Sequence, residues 1–458
     1  MSTVTDAIEF WHGLLRPDVE LTPGFAARFT EDLRAARLHF GDRIHCPFLR
    51  PFFVTPDEVA LVRRVAETLA AMGERVARLA PERPDLQDAL ALTDAERELI
   101  ALEPGYQTAS TASRLDAFIL PGSLHFAEYN AESPAGFGYT EALSAEFERL
   151  EILSRFREVF DAREFVLMEP MLDALVASYR EWGGTASPPT IAIVDWREVP
   201  TWAEFEILQA RFQALGVPTV IVDPRDLEFD GRTLVTAGRR IDLVYRRVLI
   251  NDILHRPQEC RALVDAYKAG VVPVANTFRC KAPHKKAFFA VLTDDRFAEL
   301  FTAEERAIAA AHVPWTRLVR DGRTSRNGAG VDLVPYIRAD RADLVIKPND
   351  EYGGTGVTLG WDATEKDWDQ TVARALSGRE GAWVVQERIP VRREVFPRFT
   401  PGAGATLTDM LVDCAPYLFR GRFVGFLTRL SAGGLANVTS GGGQVPSFVV
   451  NRKEARQV

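Results

Sequence analysis

The segment from about 190 to 278 sets the tightest limit on what this chain can fold into. Short continuous apolar runs alternate there with helical stretches. They are Thr190-Ile-Ala-Ile-Val-Asp, a helix over about 202–215, Pro218-Thr-Val-Ile-Val-Asp, Ile241-Asp-Leu-Val-Tyr, a helix over about 257–269, and Val271-Val-Pro-Val-Ala. Strands apolar on both faces must be covered on both faces, which predicts a parallel sheet flanked by helices. Ligands of such sheets sit at the carboxyl ends of the strands, so Asp195, Asp223 and Arg246-Arg247 are candidates for contact. The same four residues serve equally well as strand-end caps and surface charges.

With 458 residues the chain has room for about two to four domains. Residues 1–105 read as a helical region, in which the window Glu58–Leu79 repeats apolar residues at three- and four-residue steps. Residues 106–188 open with two runs, Arg114-Leu-Asp-Ala-Phe-Ile-Leu and Leu124-His-Phe-Ala-Glu-Tyr-Asn, either side of Pro121-Gly-Ser, a hairpin signal. Helical spacing over 140–182 then ends in a Gly/Pro cluster near 183–189. The parallel-sheet unit occupies 189–282, and 283–458 holds a helix, a strand ending at Lys347, a glycine-rich turn, a further helix and several strands. The class is α/β with α+β elements. The loop near 320–331 and the last eight residues are candidates for mobility.

Charge excludes some partners. With 55 basic against 64 acidic residues the net charge is −9, which opposes attraction to a nucleic-acid backbone or an anionic bilayer. No apolar run approaches the ~20 residues that span a bilayer. No nucleic-acid or membrane partner is expected, and a cytoplasmic location is. Cys46, Cys260, Cys280 and Cys414 form no CxxC pair and read as incidental thiols. Only seven residues are lysine, at 268, 281, 285, 286, 347, 366 and 453, the other basic residues being arginine. Where lysine persists, a need for its compact ammonium becomes the better explanation.

Three segments can carry chemistry. Val345-Ile-Lys-Pro-Asn-Asp-Glu-Tyr-Gly-Gly-Thr-Gly-Val357 is a buried strand delivering Lys347 into a loop with Gly353, Gly354, Thr355 and Gly356. Such a loop can close over phosphates through its backbone N–H groups. It lacks the Gly-Lys-Ser/Thr of a P-loop, and its lysine precedes the glycines, unlike a dinucleotide fingerprint. Trp383-Val-Val-Gln-Glu-Arg-Ile389 is an apolar strand entering a polar linker, a form suited to a flat base, with Glu387 or Glu394 to reach a ribose hydroxyl. In the predicted hairpin, Arg114 and Asp116 share one strand face, as do Glu128 and Asn130. Asp, Glu and Asn are hard oxygen donors of the kind that hold Mg²⁺.

Together these segments resemble the ATP-grasp carboxylate–amine ligases. In that family a strand lysine and glycine-rich loop precede the adenine linker, and Arg-x-Asp followed by Glu-x-Asn-x-x-Pro-Gly supplies the magnesium ligands. Ser113-Arg-Leu-Asp and Glu128-Tyr-Asn-Ala-Glu-Ser-Pro-Ala-Gly are similar, with one extra residue before the glycine. The metal segment here precedes the nucleotide segment, an order that resembles the circularly permuted glutathione-synthetase and glutathionylspermidine-synthetase-like proteins. Pro283-His-Lys-Lys-Ala-Phe resembles the helix carrying the family's earlier ATP lysine, at Lys285 or Lys286. Phe426–Gly443 resembles a phosphate-facing arginine, Arg429, followed by a small-residue substrate loop.

The resemblance implies a permuted ATP-grasp fold with a parallel-sheet domain before it, ATP and Mg²⁺ as cofactors, and small carboxylate and amine substrates. It implies phosphate or nucleotide contacts from Lys285, Lys286, Lys347, the glycine loop, Gln386, Glu387, Ile389 and Glu394. Metal contacts fall to Asp116, Glu128 and Asn130, and charge stabilisation to Arg114 and Arg429. Gln386 departs from the acidic residue common in relatives. A regulatory or scaffold protein retaining a degenerate site, and a kinase on the same fold, are the competing expectations.

Overall fold

A computed structural model describes residues 3–40, 43–400, 402, 404–433 and 442–454. Most of the expected substrate loop (434–441) and the last four residues lie outside the described residues.

The predicted hairpin forms as Ala112–Leu120 and Ser123–Asn130, turning where Gly122 takes a positive φ of 77°. Its register sets Arg114 opposite Asn130 and Asp116 opposite Glu128, so all four polar residues share one face. A register shift beyond Asp116 restores the apolar residues to the other face. There Leu115, Ala117, Phe126 and Tyr129 join the core beneath the helix Pro56–Leu79. That helix starts on a reciprocal cap between Thr55 and Glu58 and presents Val62, Val65, Leu69, Met72 and Val76 to the core.

The hairpin supplies two strands of a six-stranded antiparallel sheet. In order the strands are Gly443–Val445, Arg422–Ser431, Gly404–Phe419, Ala112–Leu120 and Ser123–Asn130, with Arg392–Thr400 also paired to Gly404–Phe419. The long strand Gly404–Phe419 therefore has two neighbours along one edge. Residues 404–412 pair with Arg392–Thr400, and 417–419 pair with 112–114. Asp413 sits at the fork between them.

A second, smaller antiparallel sheet orders Thr316–Leu318, Trp383–Glu387, Leu344–Pro348 and Thr358–Leu359. Ile337, Trp368, Val372 and Trp383 pack one side of it beneath the helices Leu333–Ala339 and Glu365–Ser377. The segment from 190 to 278 forms the expected parallel sheet, ordered Val274–Ala275, Leu243–Arg246, Ile191–Val194 and Thr219–Val222.

Several elements differ from the sequence reading. Within the region read as helical, Phe52–Val54 is a strand running parallel to Ser447–Arg452, which in turn pairs with Phe160–Arg163. Strands of three or four residues carry too little alternation to be seen alone, and these are made by a partner hundreds of residues away. The loop expected near 320–331 is a two-stranded hairpin, Arg323–Arg326 with Ala329–Asp332. Its turn is Asn327-Gly328, both at positive φ, a strong hairpin dipeptide that the reading passed over. All four cysteines are buried and unpaired. Among the described residues no helix is long and apolar enough to cross a membrane.

Glu394 corrects a site assignment. Its strand turns it toward the N-terminal segment, where its carboxylate accepts from the fully buried Arg50 at 2.6 Å and pairs with Arg392 at 2.5 Å. The Arg50 guanidinium lies 3.7 Å from the centre of the Phe396 ring. Removing one partner of a buried pair strands the remaining charge. Arg50→Ala should therefore lower the unfolding free energy by about 3 kcal/mol in urea denaturation, and a loss under about 1 kcal/mol would show the pair to be dispensable.

Candidate functional site

The two antiparallel sheets face one another across a cleft of 160 Å³. The larger sheet contributes Asp116, Phe118, Ala127, Glu128, Asp413 and Arg429, and the smaller contributes Val345, Lys347, Leu359, Gln386 and Glu387. Gly353, Gly354 and Thr355 border it, and Val357, Trp361, Ile389 and Val391 form an apolar end. The early acidic hairpin and the late lysine strand thus meet. Lys347 Nζ lies 3.4 Å from the Ala127 carbonyl and donates to Gln386 Oε1 at 2.7 Å, while Lys286 Nζ is 3.4 Å from Glu128 Oε2.

Gln386 is turned into the sheet by these bonds, since its Nε2 donates to Thr316 Oγ1 at 3.0 Å. Glu387 borders the cleft with its carboxylate bonded to Arg326 of the 323–332 hairpin. Gly356 lies just behind the loop's lining residues; at a positive φ of 73°, it would drive an added Cβ to 2.7 Å from Pro348 Cγ. No other residue fits that turn.

At the hairpin end of the cleft, charges interlock. Arg114 Nε donates to Asp116 Oδ1 at 3.1 Å, Asn130 Nδ2 donates to the same oxygen at 3.1 Å, and Arg429 Nη2 lies 2.6 Å from Asp116 Oδ2. Arg429 also bonds Asp413, whose Oδ1 accepts from Ala117 N–H at 3.3 Å, so the acid satisfies backbone left open at the fork. Burial raises both carboxylates, but Arg429 and Arg114 outweigh it at Asp116 and hold that group below the usual range. At Asp413 burial wins against Arg429, helped by the repulsion of Asp116, and its pKa is raised. Asp413 is a cleft residue that the sequence reading missed. Its signal was an acid inside the apolar run Met410–Tyr417.

Among the described residues no group of three or more His, Cys, Asp or Glu is arranged to hold a metal ion. The donor set here is two carboxylates and an amide. Glu128 is more accessible than Asp116, and the amide of Asn130 already faces both carboxylates. A half-turn of that amide would offer its oxygen to a cation. This set fits Mg²⁺, which takes one or two carboxylates and keeps water and phosphate oxygens as its other ligands.

Of Lys285 and Lys286, Lys286 lines the cleft and Lys285 does not. Lys285 closes the short helix Lys281–His284 in an extended conformation, and its ammonium is buried on Glu96 Oε1 at 2.6 Å and Asp350 Oδ2 at 2.7 Å, out of the cleft. The next side chain points the other way, into it. Glu351 also borders the cleft, a second residue not singled out from sequence. Of the strand-end candidates, Asp223 caps the turn at Pro224 and pairs with Arg197 and Arg225. Arg246 pairs with Glu132, and Arg247 donates to the Pro134 carbonyl and Tyr245. None of these borders the cleft. A larger cavity of 330 Å³ lies under the 323–332 hairpin; of the charges that line it, Arg296 pairs with Asp294, and Arg317 donates to Thr293, Thr316, Thr324 and Ser325.

Burial lowers the pKa of Lys347 from 10.5 to about 8, against the pull of Glu128 and Asp116. The folded state therefore binds this proton less tightly than the unfolded chain, and stability from this group rises as pH climbs from about 8 toward 10.5. Below pH 8 the buried ammonium costs about 3 kcal/mol. Lys347→Met should accordingly raise the unfolding free energy of the ligand-free protein at pH 7 by up to ~3 kcal/mol, with the gain vanishing above pH 10. Denaturation at both pH values measures it; equal or lower stability at pH 7 contradicts it.

No family model matches the chain. A curated relative, an uncharacterized protein of Mycobacterium leprae (strain TN), is 24% identical over 350 residues, covering 72% of this chain. The chain spans 57% of that relative's length. Among solved structures, a glutathione synthetase-like effector from Globodera pallida in its apo form superposes with a TM-score of 0.62 at 11% identity, over 95% of this chain and 98% of that one. At that identity the likeness is one of backbone. The sheet pair, the parallel sheet and the helical layer together give this chain an ATP-grasp fold in the glutathione synthetase-like form.

Proposed function

We propose that the protein is an ATP-dependent ligase that joins a small carboxylic acid to an amine through an acyl phosphate. One observation carries the reading: Lys286 and Lys347 face Glu128 and Asp116 across a single cleft, so cations and hard oxygen donors converge where a triphosphate can lie. The order of the segments, metal hairpin first and glycine loop later, agrees with a circular permutation. The substrate carboxylate attacks the γ-phosphorus of ATP, breaking its bond to the β–γ bridging oxygen and releasing ADP. The amine then attacks the acyl carbon, phosphate leaves, and an amide remains.

The chain's own groups have separable tasks. Lys347 and Lys286 hold phosphate oxygens as compact charges, and burial of Lys347 strengthens its field because water does not screen it. Asp116, Glu128 and Asn130 would hold Mg²⁺, which when bound neutralises phosphate charge. Arg429, fixed between Asp116 and Asp413, aims its guanidinium at oxygens that gain charge during transfer. The apolar end at Val357, Trp361 and Ile389 takes the base. The loop glycines allow the backbone to approach phosphate closely.

Screening small carboxylates against polyamines and amino acids should reveal ADP release that depends on the amine, with a product mass equal to acid plus amine minus water. Lys286→Met and Glu128→Gln should each lower this turnover about 100-fold while leaving cooperative unfolding intact. Accumulation of a phosphorylated product indifferent to amine would instead identify a kinase. Full turnover in both variants would falsify the assignment of the cleft.

A further inference from the structure

Four of the seven lysines, at 281, 285, 286 and 347, gather around the start of the glycine-rich loop, yet only Lys286 and Lys347 reach the cleft. The other two grip one carboxylate. Lys281 Nζ lies 2.8 Å from Asp350 Oδ1, and Lys285 Nζ lies 2.7 Å from Asp350 Oδ2. Both lysines are buried, and both also reach acids from distant layers. Lys285 meets Glu96 at 2.6 Å, and Lys281 meets Glu132 at 3.4 Å and Asn251 Oδ1 at 3.0 Å. Glu132 in turn pairs with Arg246 at the end of a parallel-sheet strand and accepts from Ile250 N–H.

The residues on either side of Asp350 behave differently. Asn349 is bonded on every side: its amide donates to the Leu90 carbonyl at 2.9 Å and accepts from Ala287 N–H at 2.8 Å, and its backbone joins Ala382 and Lys286. Glu351 is held through its carbonyl by Lys286. Tyr352 is then 68% exposed, and the chain continues through three glycines at positive φ, turning on itself through Thr355 N–H to the Tyr352 carbonyl. Fixed backbone gives way to permissive backbone within two residues.

We propose that Asp350, clamped by Lys281 and Lys285, is the hinge post from which the glycine-rich loop swings over nucleotide, and that Glu132 and Asn251 tie this post to the parallel sheet. Asp350 and Lys281 are thus positioning residues rather than catalytic ones. The inference rests on the nucleotide reading of the cleft for its effect on turnover, but not for its effect on the loop itself.

Asp350→Asn in the full chain tests it. In the ligand-free protein, chymotryptic cleavage after Tyr352, followed by mass spectrometry, should quicken about tenfold, because the loop loses its fixed end. With substrates, KM for ATP should rise about tenfold while kcat stays within about threefold, since the reacting groups are untouched once the loop closes. Asp350→Glu should recover part of both effects. Should Asp350→Asn fail to unfold cooperatively, Lys281→Arg, which keeps the charge and changes its reach, is read in the same two assays. Cleavage and KM both at wild-type values in a folded variant overturn the hinge. A wild-type protein that never binds ATP, with the loop still loosened in the variant, overturns the nucleotide reading and leaves the hinge standing.

Discussion

A buried ammonium group is tolerated only where acceptors replace its lost water, and that requirement organises this molecule. The anions and acceptors meeting Lys281, Lys285, Lys286 and Lys347 come from an N-terminal helix (Glu96), the end of the hairpin (Glu128, Glu132), the helix after a parallel-sheet strand (Asn251), the loop itself (Asp350) and the smaller sheet (Gln386). Each layer therefore contributes a group without which another layer's charge is stranded. Apolar packing supplies the bulk of the stability, but it is indifferent to small sliding motions. The ion pairs are not, and they fix how the layers sit around the cleft.

The same logic separates the two adjacent lysines. Lys285 is paired with two acids and sealed away, whereas Lys286 donates to the Glu351 carbonyl, lies 3.4 Å from the rim of the acidic group at Glu128, and borders the cleft. A fully committed charge supports the architecture. One that meets a neutral carbonyl and a single carboxylate at long range remains available to a ligand.

Much of the fold can be read from the sequence where a signal is local. The doubly apolar strands between 190 and 278 announce a parallel sheet, and the two-residue spacing of Arg114, Asp116, Glu128 and Asn130 announces a polar hairpin face, which the register then unites. What escapes is set by distant partners. Glu394 looks like any glutamate after a strand until Arg50, more than three hundred positions away, claims it. Asp413 is explained only by a fork in the sheet that three separate strands create. Lys281 had the same rarity as its neighbours on the chain, but its role as a clamp depends on four residues no spacing rule connects to it. The Asn327-Gly328 turn was a local signal and could have been read.

The pairing of Phe52–Val54 with Ser447–Val449, and of Ala112–Arg114 with Tyr417–Phe419, has a bearing on how the protein is made. A ribosome delivers the first member of each pair long before the second. The nascent chain must therefore hold open strand edges and a half-built cleft, whereas the parallel-sheet unit and the smaller antiparallel sheet, each made of strands close in sequence, can close as soon as they are synthesised. Final assembly waits on the last strands, which makes the interval before their arrival the one in which a chaperone would matter most.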